Sequence, residues 1–377
     1  MKKLGLFLVI CLGLVLAGCL DKFGFGEKKL IEQPKFLLNP GLGFGVKPKA
    51  TALNNQLALL IGEKRGLVLY QGGKETILTD EQTSNQWLQD DGKNLYVFWW
   101  AVDKQKAKFL KVRVSSDQGN SFSPAVTLNQ GTGVLPDVSI ASNKKGAIAI
   151  AYTDERKPGY GVYLNYSNDS GATWSKEDLR LDTPVITSAM KTQQNEEPAT
   201  FANSPHLSYL GDKLVAVWQQ VDMTEMGQSM LRLVSRTSSD FGKTWDPDVN
   251  IFVAPNMQPV EFTAFNNSKE MYIFAMLTGD GGKGFTGFYT VDPAAKQWGE
   301  ISNAALGTGY DKALVSWIKG VFSGDNLVVA FTVEQLPDSK KLHADVATLS
   351  TKDHQWLGKA RHLDADKGHD ITKSTYP

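Results

Sequence analysis

The chain has 377 residues, of which 42% are hydrophobic and 10% aromatic, ample for a large core. Lys plus Arg equals Asp plus Glu at 40 each, so no net field draws the protein to nucleic acid or to an anionic surface. Only two cysteines are present, which excludes a disulfide-built scaffold.

The N-terminus opens with the basic Met1-Lys2-Lys3, followed by an apolar run over Leu4–Leu16. The run is short for a membrane-spanning helix and reads as a secretory signal over residues 1–18. It ends in Leu16-Ala17-Gly18-Cys19, which resembles the bacterial lipobox, where cleavage before the cysteine leaves that residue to carry acyl chains. The resemblance implies lipidation of Cys19 and attachment to the membrane through those chains, stable when more than one is present. Leu20 stands where an Asp would retain such a lipoprotein at the inner membrane, which implies the outer membrane as destination. Cys11 lies inside the signal, so the mature chain offers neither a disulfide nor a cysteine metal site.

Residues 19–45 hold Phe23-Gly24-Phe25-Gly26 and Pro40-Gly41-Leu42-Gly43-Phe44-Gly45 with no sustained period, and are expected to be a tether. Extended, it would reach roughly 85 Å. From residue 46 short strand patterns begin, first Leu57–Ile61 and Gly66–Tyr70. Near-continuous apolar runs then recur at Leu95–Trp100, Ala147–Tyr152, Leu214–Trp218, Met271–Met276 and Leu327–Phe331, as expected of strands buried on both faces. A polar insertion is expected around Thr187–Ser204, with Gln193-Gln194-Asn195-Glu196-Glu197 exposed. Residues 366–377 form a polar tail.

One phrase repeats: Ser-Ser-Asp-Gln-Gly-Asn-Ser-Phe at 115–122, Ser-Asn-Asp-Ser-Gly-Ala-Thr-Trp at 167–174 and Ser-Ser-Asp-Phe-Gly-Lys-Thr-Trp at 238–245. Each copy follows an alternating strand, as in Val162, Leu164, Tyr166, and precedes another, so it reads as a hairpin turn. Asp117, Asp169 and Asp240 are expected to accept backbone N–H bonds two residues on. Gly119, Gly171 and Gly242 supply positive φ. Phe122, Trp174 and Trp245 re-enter the sheet as apolar anchors. Trp298 and Trp356 follow eroded copies, giving anchor spacings of 52, 71, 53 and 58 residues, about the length of one four-stranded propeller blade.

The phrase resembles the Asp-box, or BNR, repeat of the sialidase-like β-propellers. The resemblance implies an all-β fold of six blades over residues 46–365, with four antiparallel strands in each. It also puts the phrase at the lower face and the loops after each second strand at the upper, working face. At or in those loops lie Trp100, Asp103, Asp154, Arg156, Tyr160, Gln219, Asp222, Glu225 and Glu334. Aromatics stack on sugar rings, and carboxylates and Arg read hydroxyls and carboxylates, so Trp100, Asp103, Asp154, Arg156, Tyr160, Asp222 and Glu334 are candidate ligand-binding residues. An Asp154–Arg156 ion pair on a solvated rim is the structural alternative.

Sialidases hold the substrate carboxylate with three arginines and attack with a Tyr paired to a Glu. Tyr310, in Gly307-Thr308-Gly309-Tyr310-Asp311, matches the nucleophile's place, with Glu225 as candidate partner. The Arg-Ile-Pro signature of the first blade is missing: Val46-Lys47-Pro48 stands nearest, and Lys lacks the planar fork of Arg. Arg156 is one of only seven arginines, and the other six show no clear upper-face placement in the sequence. A binding module for a glycan or an envelope protein is therefore expected, with an exo-acting glycosidase as the alternative. Neither a cofactor nor a metal is called for: the five histidines have no ligand spacing, and the acidic run 364–370 lacks the distal Glu of a calcium loop. Gly279–Gly284 lacks the Ser or Thr of a phosphate loop.

Overall fold

The computed structural model describes residues 49–53, 56–81, 83–156, 159–183, 200–223, 229–252, 257–279, 284–292, 297–301, 313–335 and 342–362. Among these, every helix-or-strand element is a strand. The strands fall into successive four-strand antiparallel meanders. The first unit comprises Lys49–Leu53, Gln56–Glu63, Gly66–Gln71 and Lys74–Thr79, and the second Thr83–Asp90, Leu95–Val102, Lys108–Ser115 and Val126–Thr127. The third comprises Val134–Ser142, Ile148–Glu155, Gly159–Ser167 and Leu179–Arg180, and the fourth Thr200–Leu210, Lys213–Met223, Ser229–Ser238 and Val249–Phe252. The fifth comprises Met257–Asn266, Met271–Gly279, Gly284–Asp292 and Gln297–Ile301, and the sixth Ala313–Ser323, Asn326–Gln335, Leu342–Ser350 and Arg361–His362. The third and fourth units are not separate sheets: Gly159 and Tyr160 pair in parallel with Thr200 and Phe201, which makes one eight-stranded sheet.

The second strands are the most buried, as their apolar runs require; seven of the eight residues of Ile148–Glu155 are inaccessible. These strands run past the apolar stretches that mark them in the sequence. Asp154 pairs with Gly161, Asp222 with Met230 and Glu334 with Leu342. Residues expected in loops therefore end strands, because backbone pairing continues after the side chains turn polar. The tether, the 193–197 run and the 366–377 tail lie outside the described residues.

In each unit the hairpin between third and fourth strands shares an end with the hairpin between first and second. The second-to-third hairpin lies at the opposite end, called upper below. The repeated phrase thus sits at the lower end, built the same way three times. The hydroxyl of Ser115, Ser167 or Ser238 donates to the Asp Oδ1 at 2.7–2.8 Å and accepts the Gly N–H at 2.7–2.8 Å. The same Asp Oδ1 accepts the N–H of Ser121, Thr173 or Thr244 at 2.8 Å, while Oδ2 accepts that residue's hydroxyl. The Asp therefore bonds four residues on, where the sequence suggested two, because the Ser takes the nearer N–H. Hydrogen bonds from Ser121 lead those that hold Asp117 at a pKa of about 2. Two successive residues have positive φ, not the glycine alone: Gln118, Ser170 and Phe241 lie at 61–63°.

At Gly171 the glycine is required by what it faces. A Cβ on Gly171 would lie 2.8 Å from Val114 and 2.9 Å from Tyr96, both in the preceding unit. Gly119 abuts Leu69 of the first unit, and Gly242 abuts Leu164 of the third, each at 3.3 Å. The aromatic three residues later completes the same seam. Phe122 packs into the core between units one and two, Trp174 between two and three, and Trp245 between three and four. Trp298 and Trp356 do so for the next two seams. Trp174 meets Phe98 edge-on at 6.0 Å, and the Trp298 indole donates to Ser235 Oγ at 2.8 Å. The phrase thus fastens each unit to the one before it.

Gly171→Ala is expected to lower stability by about 2–3 kcal/mol, since it meets both a steric clash and unfavourable φ. Gly73→Ala, at a φ of 80° with nothing near its Cβ, isolates the conformational part at about 1 kcal/mol. Equilibrium urea unfolding of the two variants measures the difference.

Candidate functional site

The upper end of the third unit carries the densest polar cluster that includes residues singled out from the sequence. Asp154 and Arg156 are two apart, so strand geometry places both side chains on one face. Asp154 is fully buried. Its Oδ1 accepts the Gly133 N–H at 3.0 Å, and its Oδ2 accepts Arg156 Nε at 3.1 Å and Nη2 at 2.9 Å. On its other side Arg156 donates Nη1 to Asp178 Oδ1 at 3.0 Å and Nη2 to Asp178 Oδ2. Asp178 also accepts the Tyr152 hydroxyl at 2.7 Å and the Gln130 N–H at 3.0 Å. The guanidinium lies 3.6 Å above the Tyr163 ring, which covers its face.

Burial raises the Asp154 carboxyl, and Arg156 only partly offsets this. Burial also pushes Asp178 up, but Arg156, the Gln130 N–H and Tyr152 outweigh it and hold that carboxyl below its ordinary range. Burial would lower Arg156, yet hydrogen bonds to Asp178 and Asp154 keep it firmly charged. Beside it Arg180 lies 5.9 Å from the same Tyr163 ring and donates to Asp182 Oδ2 at 2.8 Å. Asp182 Oδ1 in turn accepts the Val162 N–H at 2.8 Å. Three carboxylates thus face two guanidiniums, and the cluster does not attract an anion. Chemically it is a clamp: it fixes the 128–133 link between units two and three over the end of the third unit. Gly131 allows that approach, since a side chain there would strike Asp154 and Arg156.

The other candidates are distributed differently. Trp100 joins the core between units two and three, and the Lys108 ammonium stands 5.1 Å from its ring. Among the described residues its indole N–H has no hydrogen-bond partner. Asp103 is exposed and shapes its own turn, accepting the Ala107 N–H at 2.8 Å. Tyr160 meets Phe201 edge-on at 5.0 Å, where units three and four join. Asp222 and Glu334 lie near the upper ends of the second strands of units four and six. Tyr310 and Glu225, and Cys19 at the N-terminus, lie outside the described residues. The structure therefore pairs Asp154 with Arg156 directly, while Trp100, Asp103 and Tyr160 each have other partners.

Arg65 also proves to be at the upper end, in the second-to-third turn of the first unit, contrary to its unclear placement in the sequence. It donates to Glu63 at 2.7 Å and Glu75 at 2.6 Å. Arg65, Arg156 and Arg180 are thus each engaged by carboxylates of their own unit. The partners that sequence reading missed are Asp178 and Asp182. Arg180-Leu181-Asp182 carried a usable signal, a same-face pair at the spacing of Asp154-Glu155-Arg156. Asp178 carried none, since its meeting with Arg156 is a tertiary contact.

No known protein family matches the sequence, and no curated protein matches it. Among solved structures it is similar to the Hadza microbial sialidase Hz136 at 16% identity and a TM-score of 0.39, covering 81% of this chain and 66% of that one. It is similar to an α-L-arabinanase of Penicillium chrysogenum at 14% identity and a TM-score of 0.46, covering 82% and 94%. A PL25 ulvan lyase gives 11% identity and a TM-score of 0.48, covering 85% and 82%. These are likenesses of strand arrangement.

Arg156→Met leaves Asp154 and Asp178 without their cation and is expected to cost about 3 kcal/mol in urea unfolding. Removing the exposed Arg65 by the same substitution should leave the unfolding midpoint unchanged. A ligand-reading Arg156 would give the opposite pattern, with stability intact and binding lost.

Proposed function

We propose that the chain is a closed six-bladed, sialidase-like propeller, held to the outer membrane by acyl chains on Cys19. It works as a binding module without glycosidase turnover. Its ligand is an uncharged glycan or an envelope protein met at the upper face. The observation that carries this reading is that three guanidiniums at the upper end are already held by carboxylates. Arg156 lies between Asp154 and Asp178, Arg180 is held by Asp182, and Arg65 is held by Glu63 and Glu75. A site that grips a substrate carboxylate needs free guanidinium forks, and these are occupied. The repeating seams between consecutive units support a radial arrangement: three use the same glycine and aromatic devices, and the next two use the aromatic alone.

The full chain in detergent is expected to give no hydrolysis of a fluorogenic sialoside above blank, while retaining binding on an array of neutral glycans or to a crosslinked envelope protein. Turnover that Tyr310→Phe abolishes would replace this reading with the glycosidase one. Mass spectrometry of the processed N-terminus is expected to find an acylated Cys19, and Cys19→Ala to leave the protein unacylated and in the soluble fraction. An unmodified Cys19 would remove the anchor from the proposal.

A further inference from the structure

The first strands of units three to six converge on a cavity of about 420 Å³. It is distinct from the upper cluster. Asn266 and Phe322 in its wall pair with Met271 and Leu327, close to the first-to-second hairpins, so the cavity belongs to the lower end. Its size falls within the roughly 300–1,000 Å³ of small-molecule sites.

Its lining separates into two kinds of surface. Ser139, His206 and Asn266 present polar groups, while Phe265, Val321 and Phe322 present apolar ones. No charged side chain lines it among the described residues. It therefore offers an entering ion no counter-charge. The polar groups suit hydroxyls. Ser139 Oγ already accepts the Leu207 N–H at 2.9 Å, which leaves its proton to donate. Burial alone pulls the His206 imidazole down to about 4, so at neutral pH it offers one donor and one acceptor. The Asn266 amide offers both roles as well.

The apolar side is held open. Val321 lies on the cavity wall and remains 52% exposed. Gly320 beside it has no side chain to push Phe265 out of place: a Cβ there would lie 3.1 Å from both Phe265 and Leu327. Phe265 is braced edge-on by Phe274 at 5.6 Å, and Phe322 packs at 5.9 Å from Tyr272. Braced aromatic walls on one side and uncharged hydrogen-bonding groups on the other match a pyranose or furanose ring, which has an apolar C–H face and a hydroxyl edge.

We infer that the lower axial cavity, lined by Ser139, His206, Asn266, Phe265, Val321 and Phe322, is a binding site for the ring of an uncharged sugar. This site is separate from the upper face and stands whether or not that face binds a ligand.

The test is calorimetric titration of the full chain in detergent with methyl glucoside, methyl galactoside and methyl arabinoside, with methyl glucuronide as the charged counterpart. Saturable binding of at least one neutral glycoside is expected, with the glucuronide roughly tenfold weaker or worse. Val321→Trp, placed at an exposed position so that the fold survives, fills the cavity and abolishes binding. His206→Leu keeps the volume but removes one hydrogen-bonding group, and weakens binding roughly tenfold; it serves alone if the Trp variant misfolds. Arg65→Met at the upper end, at an exposed position, leaves this binding unchanged. The inference is overturned if no neutral glycoside saturates at millimolar concentration, if the glucuronide binds as well as the glucoside, or if folded Val321→Trp or His206→Leu binds like the parent.

Discussion

The structure depends on a contact too close for any side chain. At Gly171 the lower turn of one unit lies against Tyr96 and Val114 of the unit before it, and Gly119 and Gly242 make a looser approach to Leu69 and Leu164 at 3.3 Å. Positive φ alone would admit other residues at a modest penalty; at Gly171 the approach of the neighbouring unit does not. The Ser and Asp of each phrase then hold its Gly and following Ser or Thr N–H groups inside the turn, so the turn is braced when it meets its neighbour. The aromatic that follows enters the core between the two units. A single eight-residue phrase therefore specifies a hairpin, an interface and a core anchor together. Such a device works only when repeated, because each unit relies on the preceding one for the surface its glycine needs.

The upper end obeys a different rule. There the carboxylates and arginines are held by one another. Asp154 is wholly buried and tolerable only because Gly133 N–H and Arg156 satisfy it. Asp178 draws Arg156 outward across the Tyr163 ring and gathers the Gln130 N–H from the link. The charges at this rim perform the task that apolar seams perform lower down, where the Trp and Phe anchors provide enough area. A link such as 128–133 has little apolar surface to bury, so polar ties are what can hold it.

The fold was legible in the sequence to a greater degree than the site. Phe122, Trp174 and Trp245 mark the fourth-strand entries, and the apolar runs mark the second strands, because burial on both faces leaves no room for polar alternation. Two things escaped. Strand ends were placed too early, since Asp154, Asp222 and Glu334 pair through backbone groups that ignore side-chain polarity. The eight-stranded join at Tyr160 and Phe201 also left no mark, because two residues of parallel pairing have no period. At the site, Asp154 and Arg156 were found by their local spacing. Their fate was set by Asp178, twenty-two residues away from Arg156, and no local pattern encodes that meeting. Arg65 was likewise unplaced until the turn carrying it had a direction.

The two ends of the units therefore differ in what they leave unspent. At the lower rim the hydrogen-bonding groups of the three phrases are turned inward on their own loops. At the upper rim the charges of the third unit neutralise each other. What remains uncommitted lies on the first strands, where residues facing away from the seams meet space instead of a neighbouring sheet. His206 and Asn266 lie there with Ser139, which is tied to the Leu207 N–H, and beside Phe265 and Phe322, whose rings also pack into the seam between units five and six. Apart from the short parallel pairing of Thr200 and Phe201, a first strand satisfies its sheet on one edge only, so its side chains are freer to vary than those locked in the seams. Chemistry added to this scaffold would meet least structural resistance along that inner wall, which is where polar and aromatic groups stand together without a charge among them.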